Sequence, residues 1–484
     1  MAEAAFLAVA GLALSGCVVG PRYVAPSTPP PAIGPFLSAA PQAASDQPLP
    51  AGWWRLYDDA LLDQLVQRAL VANQDLKVAA ANLAYAQGLL EEARAGRYPT
   101  TTAVVSPSYG EANPGTAAQS VYAEGFVVAY QVDLFGQIRR AIQAAQANAE
   151  SVRAAEDATR VTVAAETASA YADICGYGRQ IVVGENSVAL VQETYDLALA
   201  QRNAGAFSDF DVDREGVLLQ QAKATLPPLG GQRRVALFTL AALTGATPAE
   251  LPAEVAKCQT PPTLSQPLPV GDGAALLRRR PDVRQAERAL ASKTADIGVA
   301  TAQLYPNVTL SGSIGSVATT VGGIFSPQSV VYGLGSTSSS VPPLISWTFP
   351  NVSLARAHIK EARAQASGAL ATFDSTILTA LKETEQALAT YATELDHHTA
   401  LLGAQQQADE ALRLARVQLQ AGTYSFLDLL QAQATAVAAD QAVAQSEQAI
   451  SDDQVSVFQA LGGGWEDAPK VLAPPIAGMT PQIR

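Results

Sequence analysis

The chain has 484 residues and a formal charge of −13, which excludes a nucleic-acid surface because phosphate binding needs a basic footprint. Hydrophobic residues make up 48% but aromatics only 6%, and alanine dominates the apolar share, which suits long, closely packed helices better than one bulky core. His358, His397 and His398 fall in no ligand spacing and no nucleophile elbow or phosphate loop occurs, so neither an enzyme nor a metal site is expected.

Residues 1–16 read as a signal peptide, with an apolar stretch at 6–14 too short to span a bilayer. It ends in Leu14, Ser15, Gly16 and Cys17. Residues 17–52 are rich in Pro, Ala and Ser and read as an extended tether. Trp53, Trp54, Asp58 and Asp59 then open a short amphipathic helix whose apolar face is Leu61, Leu62, Leu65, Val66 and Leu70. A second helix covers about 75–97 and stops before Pro99.

Two stretches with strand character follow, at about 100–110 and 120–134. In the second, Tyr122, Phe126, Val128, Tyr130 and Val132 fall on one face, with Glu124 as the exception. Further on, strands are expected at about 306–317 and 340–350, where Val308, Leu310, Gly312 and Ile314 alternate with Asn307, Thr309, Ser311 and Ser313. Such period-2 stretches mark either outer-membrane barrel strands or a soluble antiparallel sheet with one wet face. Four strands cannot close a barrel, and an open edge in lipid strands backbone groups at several kcal/mol each. Strands that span lipid therefore demand several chains sharing one barrel.

Very long helices come next. The run 137–203 would extend roughly 100 Å, and a return helix from near Asp209 completes a hairpin at about 137–245, with Pro227 and Pro228 expected to kink it. Pro281 and Asp282 mark another helix start, so Arg278, Arg279 and Arg280 read as its flank. A second hairpin spans about 353–461. No later 18-residue apolar run exists, so no transmembrane helix is expected. The adjacent His397 and His398 read as a solvated helix surface.

The two hairpins are copies. Gly205, Ser208 and Asp211 recur at one constant spacing as Gly422, Ser425 and Asp428. In both, a Gly past one helix, a Ser, then an Asp in the next first turn is stop-and-restart chemistry. Asp75, Leu83, Tyr98 and Pro99 recur likewise as Asp282, Leu290, Tyr305 and Pro306; the spacing lengthens before Arg356, which places an insertion in the Gly/Ser/Pro-rich loop 322–340. The chain is thus a duplicated unit: repeat 1 at 53–260, repeat 2 at 261–465 and a tail at 466–484. The two cysteines besides Cys17 are Cys175, mid-helix, and Cys258, in the connector between the halves. They form either a disulfide or two separate buried thiols.

Leu14 to Cys17 resembles the bacterial lipobox, and Val18 after the Cys favours sorting to the outer membrane. With Trp53 and Trp54, the duplicated helix–strand–strand–hairpin, Val132 to Gly136 opening a helix, and Leu277 to Glu287, the chain resembles the outer membrane factor family. These are the TolC/OprM-like exit ducts of tripartite efflux systems, here closest to the NodT-type lipoproteins. The resemblance implies an α+β, mainly α fold and a homotrimer. Its three chains would form a 12-stranded outer-membrane β-barrel continuous with a periplasmic α-helical barrel. It implies acyl chains on Cys17 and no other cofactor, with a periplasmic adaptor, an inner-membrane pump and outer-membrane lipid as partners. In the family the hairpin tips dock the adaptor, which points to Gly205, Ala206, Ser208, Gly422, Thr423 and Ser425. Acidic residues after the second tip close the gate. Asp428 matches one such position, Gln431 stands where a second Asp is common, and Tyr424 where some members have Arg. Asp209, Asp211 and Asp213 on the first hairpin would supply the missing charge. The rival functions are a type I protein-secretion channel and, from another class, a lipid-anchored coiled-coil tether without a pore.

Overall fold

The computed structural model describes residues 18–27, 30–110, 117–318, 320–321, 330–333 and 345–474. The signal peptide and Cys17 lie outside them, as does most of the loop 322–340. In chain order the elements are β1 (Ala44–Ser45), α1 (Ala60–Ala72), α2 (Gln74–Ala95), β2 (Thr100–Gly110), β3 (Gln119–Val132), α3 (Gln137–Asn203), α4 (Asp209–Leu243), β4 (Leu268–Pro269), α5 (Gly273–Arg279), α6 (Pro281–Ala302), β5 (Asn307–Ala318), β6 (Val330–Gly333), β7 (Ile345–Thr348), α7 (Val352–Gln420) and α8 (Phe426–Ala460). The duplication is visible in this order. Strand β6 lies where a loop was expected, and the last strand is described only over 345–348.

Two compact units form, each drawing segments from both halves. The first comprises 1–26, 83–153 and 285–374 and holds the antiparallel sheet. Its order is β2-β3-β5, with β6 and β7 pairing the far side of β5. Register sets Ala103 beside Phe126 and Phe126 beside Ile314, and likewise Tyr130 beside Leu310. Phe126, Val128, Tyr130, Leu310, Ile314 and Val105 are exposed, so one face of the sheet offers contiguous apolar side chains to its surroundings. That is the reverse of a soluble sheet, which turns its apolar face inward. Where β3 hands over to α3, Asp133 caps the helix by accepting from the backbone N of Ile138 and Arg139, both at 3.0 Å. Phe135 stacks on Tyr305 at 4.5 Å.

The start of the expected tether is extended but packed. Val19 N donates to the Phe135 carbonyl at 3.2 Å. Arg140 donates to the carbonyls of Val19 and Gly20, and Tyr23 Oη to Glu287 at 2.6 Å. Their backbone groups and Tyr23 find protein partners, so this stretch is held rather than loose.

The second unit comprises 27–82, 154–284 and 375–484. The rest of the expected tether is built into it: Phe36, Ala43, Ala44 and Leu49 are buried in the core, and β1 pairs in parallel with β4. Trp53 stacks on Phe458 at 4.7 Å and anchors the core with Leu62, Leu240 and Leu276. Asp59 caps α1 through the N–H groups of Leu61 and Leu62. Arg280, expected on a flank, is buried, and bonds Asp282 at 2.6 Å, Glu383 at 2.8 Å and the Ala460 carbonyl at 2.7 Å. Helix α4 runs unbroken through Pro227 and Pro228, although each removes one N–H from its ladder. His398 is not simply solvated: its Nδ1 meets Ser446 Oγ at 3.2 Å, joining α7 to α8, while His397 stays exposed beside Glu394.

Candidate functional site: the paired hairpin tips

Both tips are built by the same local chemistry. Helix α3 ends where Gly205 takes a left-handed φ of 80°, with Ala206 N donating to Gln201 O and Gly205 N to Arg202 O. Helix α7 ends in the same way: Gly422 has φ 72°, Thr423 N donates to Gln418 O and Gly422 N to Leu419 O. This terminator needs a residue without a Cβ at the left-handed position. Each return helix opens with a capping box, in which the Ser hydroxyl accepts from the Asp backbone N–H and the Asp carboxylate accepts from the Ser backbone N–H. Phe207 of the first tip meets Phe426 beside the second, with ring centroids 4.7 Å apart.

The residues singled out from the sequence are therefore together at two adjoining tips. Gly205, Ala206, Ser208, Gly422, Thr423 and Ser425 are all exposed. Tyr424, Asp213 and Gln431 are exposed as well. Asp428 accepts from Ser425 N at 2.9 Å and Oγ at 2.6 Å, and Asp211 from Ser208 N at 3.0 Å and Oγ at 2.7 Å. These bonds hold both carboxyls below the usual carboxylate range, so the tips keep their negative charge down to acid pH. Asp209 is paired with Arg202 at 2.8 Å. The tips thus present exposed backbone, two fixed carboxylates and apolar side chains such as Phe210 and Leu427, which are also exposed.

Two features of the hairpins went unread in the sequence. Glu215, one turn beyond the first capping box, is fully buried, and Gln433 of α8 is buried against Thr194 of α3, whose hydroxyl donates to it at 2.8 Å. The hydrophobic pattern around Val212, Glu215 and Leu219 was the available signal, since Glu215 sits at a core position of α4. Higher up, Cys175 and Cys258 are joined by a disulfide with Cα atoms 4.7 Å apart, tying the connector to α3. No helix among the described residues is long and apolar enough to cross a membrane.

Comparison with known proteins agrees with this geometry. The family model described as outer membrane efflux protein matches residues 65–246 and 274–463, one match in each half. Nodulation protein T of Rhizobium leguminosarum bv. viciae is 32% identical over 475 residues, covering 96% of this chain and 94% of the relative. The antibiotic efflux pump outer membrane protein ArpC of Pseudomonas putida is 29% identical, covering 95% of each. The solved outer-membrane channel OprN superposes with a TM-score of 0.86 at 33% identity, covering 93% of this chain and 100% of that one. The chain belongs to the outer membrane efflux protein family. It is an efflux channel protein of the outer membrane that extends into the periplasm.

Proposed function

We propose that three copies of this chain share one barrel and form a passive exit duct with no catalytic step, opened at the hairpin tips by a periplasmic adaptor and an inner-membrane pump. The carrying observation is the sheet. Among the described residues it has an outward apolar face and four strand positions, β2, β3, β5 and the shared place of β6 and β7, and β2 has a free edge. Such a sheet is stable in lipid only when its edges are closed by other copies. Three copies make twelve strand positions, the size that the family resemblance implies.

Cys17 carries the diacylglycerol and N-acyl chains in this reading. What supports it is the neighbouring segment: Val19 is bonded to Phe135 at the strand–helix junction, so an acylated Cys17 would enter the bilayer where the apolar sheet face begins. The disulfide between Cys175 and Cys258 suits an oxidising periplasm. Gly205, Ala206, Ser208, Gly422, Thr423 and Ser425 supply the adaptor surface, and Asp428, Gln431, Tyr424, Asp211 and Asp213 line the aperture. Efflux is favoured over protein secretion because an efflux pump component stands among the relatives.

Planar-bilayer recording on the purified full-length protein tests this. A channel whose conductance rises when the tip carboxylates are removed supports the duct. A membrane-bound protein that never conducts, with or without those carboxylates, overturns it.

A further inference from the structure

Buried carboxylates are normally paired, because burying an unpaired charge is far costlier than burying a neutral group. Glu215 breaks that rule. It is 0% exposed, and among the described residues neither of its carboxylate oxygens has a hydrogen-bond partner. It occupies the buried stripe Val212, Glu215, Leu219 of α4. Next to it, Gly216 lies against Tyr195 of α3, where an added Cβ would stand 3.5 Å from the ring. At this level α3 buries Val191, Thr194 and Ala198, and α8 buries Leu429, Leu430 and Gln433. The Nε2 of Gln433 is likewise without a partner.

No charge on the neighbouring helices offsets this carboxylate. On α3, Glu193 and Asp196 are exposed, and Asp196 takes the Gln192 amide. On α8, Asp428 is exposed and held by Ser425. On α7, Asp409, Glu410, Arg413 and Arg416 are exposed. Arg214 on the same helix is the one charge that acts on Glu215, and burial outweighs it.

We propose that Glu215 is a proton-operated latch of the first hairpin, which keeps α4 packed on its neighbours while neutral and releases α4 when ionised. Ionisation inside the packed hairpin leaves the carboxylate shut off from bulk solvent, with Arg214 too weak a counter-charge to offset its burial. The helix relieves this by separating until water reaches the side chain. The latch lies one helical turn from the Ser208–Asp211 cap, so loosening it loosens the first tip. That consequence for opening rests on the duct reading; the latch itself does not.

The sign follows from linkage. Burial pushes the Glu215 carboxyl up from 4.5 to about 7. In an opened hairpin the group returns toward 4.5, so closing takes up a proton between that value and about 7. The packed hairpin therefore weakens as pH rises from about 5 towards 7 and is constant above it. If opening fully exposes the group, the closing equilibrium falls ~50-fold between pH 5 and pH 7.5.

Hydrogen exchange of the detergent-purified full-length protein tests this at those two pH values, corrected for intrinsic exchange rates and read over peptides covering 205–225. Wild type is expected to lose protection at the higher pH by at least tenfold. Glu215→Gln and Glu215→Leu are expected to keep it, the second because leucine suits the stripe between Val212 and Leu219. Equal losses in wild type and both variants would overturn the latch, as would a wild-type hairpin with no pH response. A lowered protection at both pH values in the variants would show a merely structural residue. Bilayer recording of the same samples separates the two ideas. A protein that exchanges as predicted but never conducts retains the latch and refutes the duct, and one that conducts without the pH response does the opposite.

Discussion

The carboxylate of Asp428 closes on Ser425: its Oδ2 takes hydrogen bonds from both the backbone N and the hydroxyl of that residue. The charge proposed to line the aperture is thereby also the charge that starts helix α8. Replacing Asp428 with Ala is expected to fray the second tip and raise basal conductance. Asp428→Asn, which keeps a side-chain acceptor for Ser425, should raise conductance by charge loss alone. Single-channel recording with hydrogen exchange over 418–432 separates the two effects. Because the folded carboxyl is depressed, its contribution persists above the ordinary carboxylate range and fades only as pH falls through the lowered value. Wild-type tip protection should then stay flat from pH 8 to pH 5 at Asp428, in contrast to the Glu215 side.

The disulfide between Cys175 and Cys258 closes a loop with a sequence separation of 83 residues. Its removal in Cys175→Ser with Cys258→Ser should cost about 2–4 kcal/mol. A lower thermal midpoint that matches reduced wild type is the expected result. Unchanged midpoints in both would deny the bond a stabilising role.

Asp452 lies in α8 and is mostly buried beside Asp173, with the Ser169 hydroxyl as donor at 3.4 Å. Burial, then the neighbouring Asp173 charge, pushes its carboxyl up from 3.8 to about 7. Folding takes up a proton there between pH 3.8 and about 7, so stability drains as pH rises across that range. The drop in denaturation midpoint between pH 5 and pH 8 should be smaller in Asp452→Asn than in wild type.

Arg280 gathers the start of α6, the side of α7 and the end of α8 through Asp282, Glu383 and the Ala460 carbonyl. Arg280→Met should destabilise the second unit by about 2–3 kcal/mol, below the loss for a wholly buried pair because Glu383 is 43% exposed. Chemical denaturation monitored at the Trp53 and Trp54 core measures it.

Much of this was legible in the sequence because the chain repeats its own punctuation. The Gly, Ser and Asp of the two tips fix helix ends through local rules, and both hairpins follow. Strand character located β2, and alternation β3 and β5, whereas β6 hides in a Gly/Ser-rich stretch that lacks a period-2 pattern. Composition does not reveal the packing of the expected tether, because Pro-rich sequence reports stiffness, not contacts: Val19 and Leu49 find partners far away in sequence. Glu215 is harder to read: the apolar positions Val212 and Leu219 are a signal of burial, but its own charge points the other way. Only the packing around them shows it buried.

The central claim is the shared barrel, and native mass spectrometry of the detergent-extracted full-length protein tests it most directly. A heat-labile species at three times the mass of one chain is the predicted result. A clean monomer in gentle detergents, with no larger species, would contradict it.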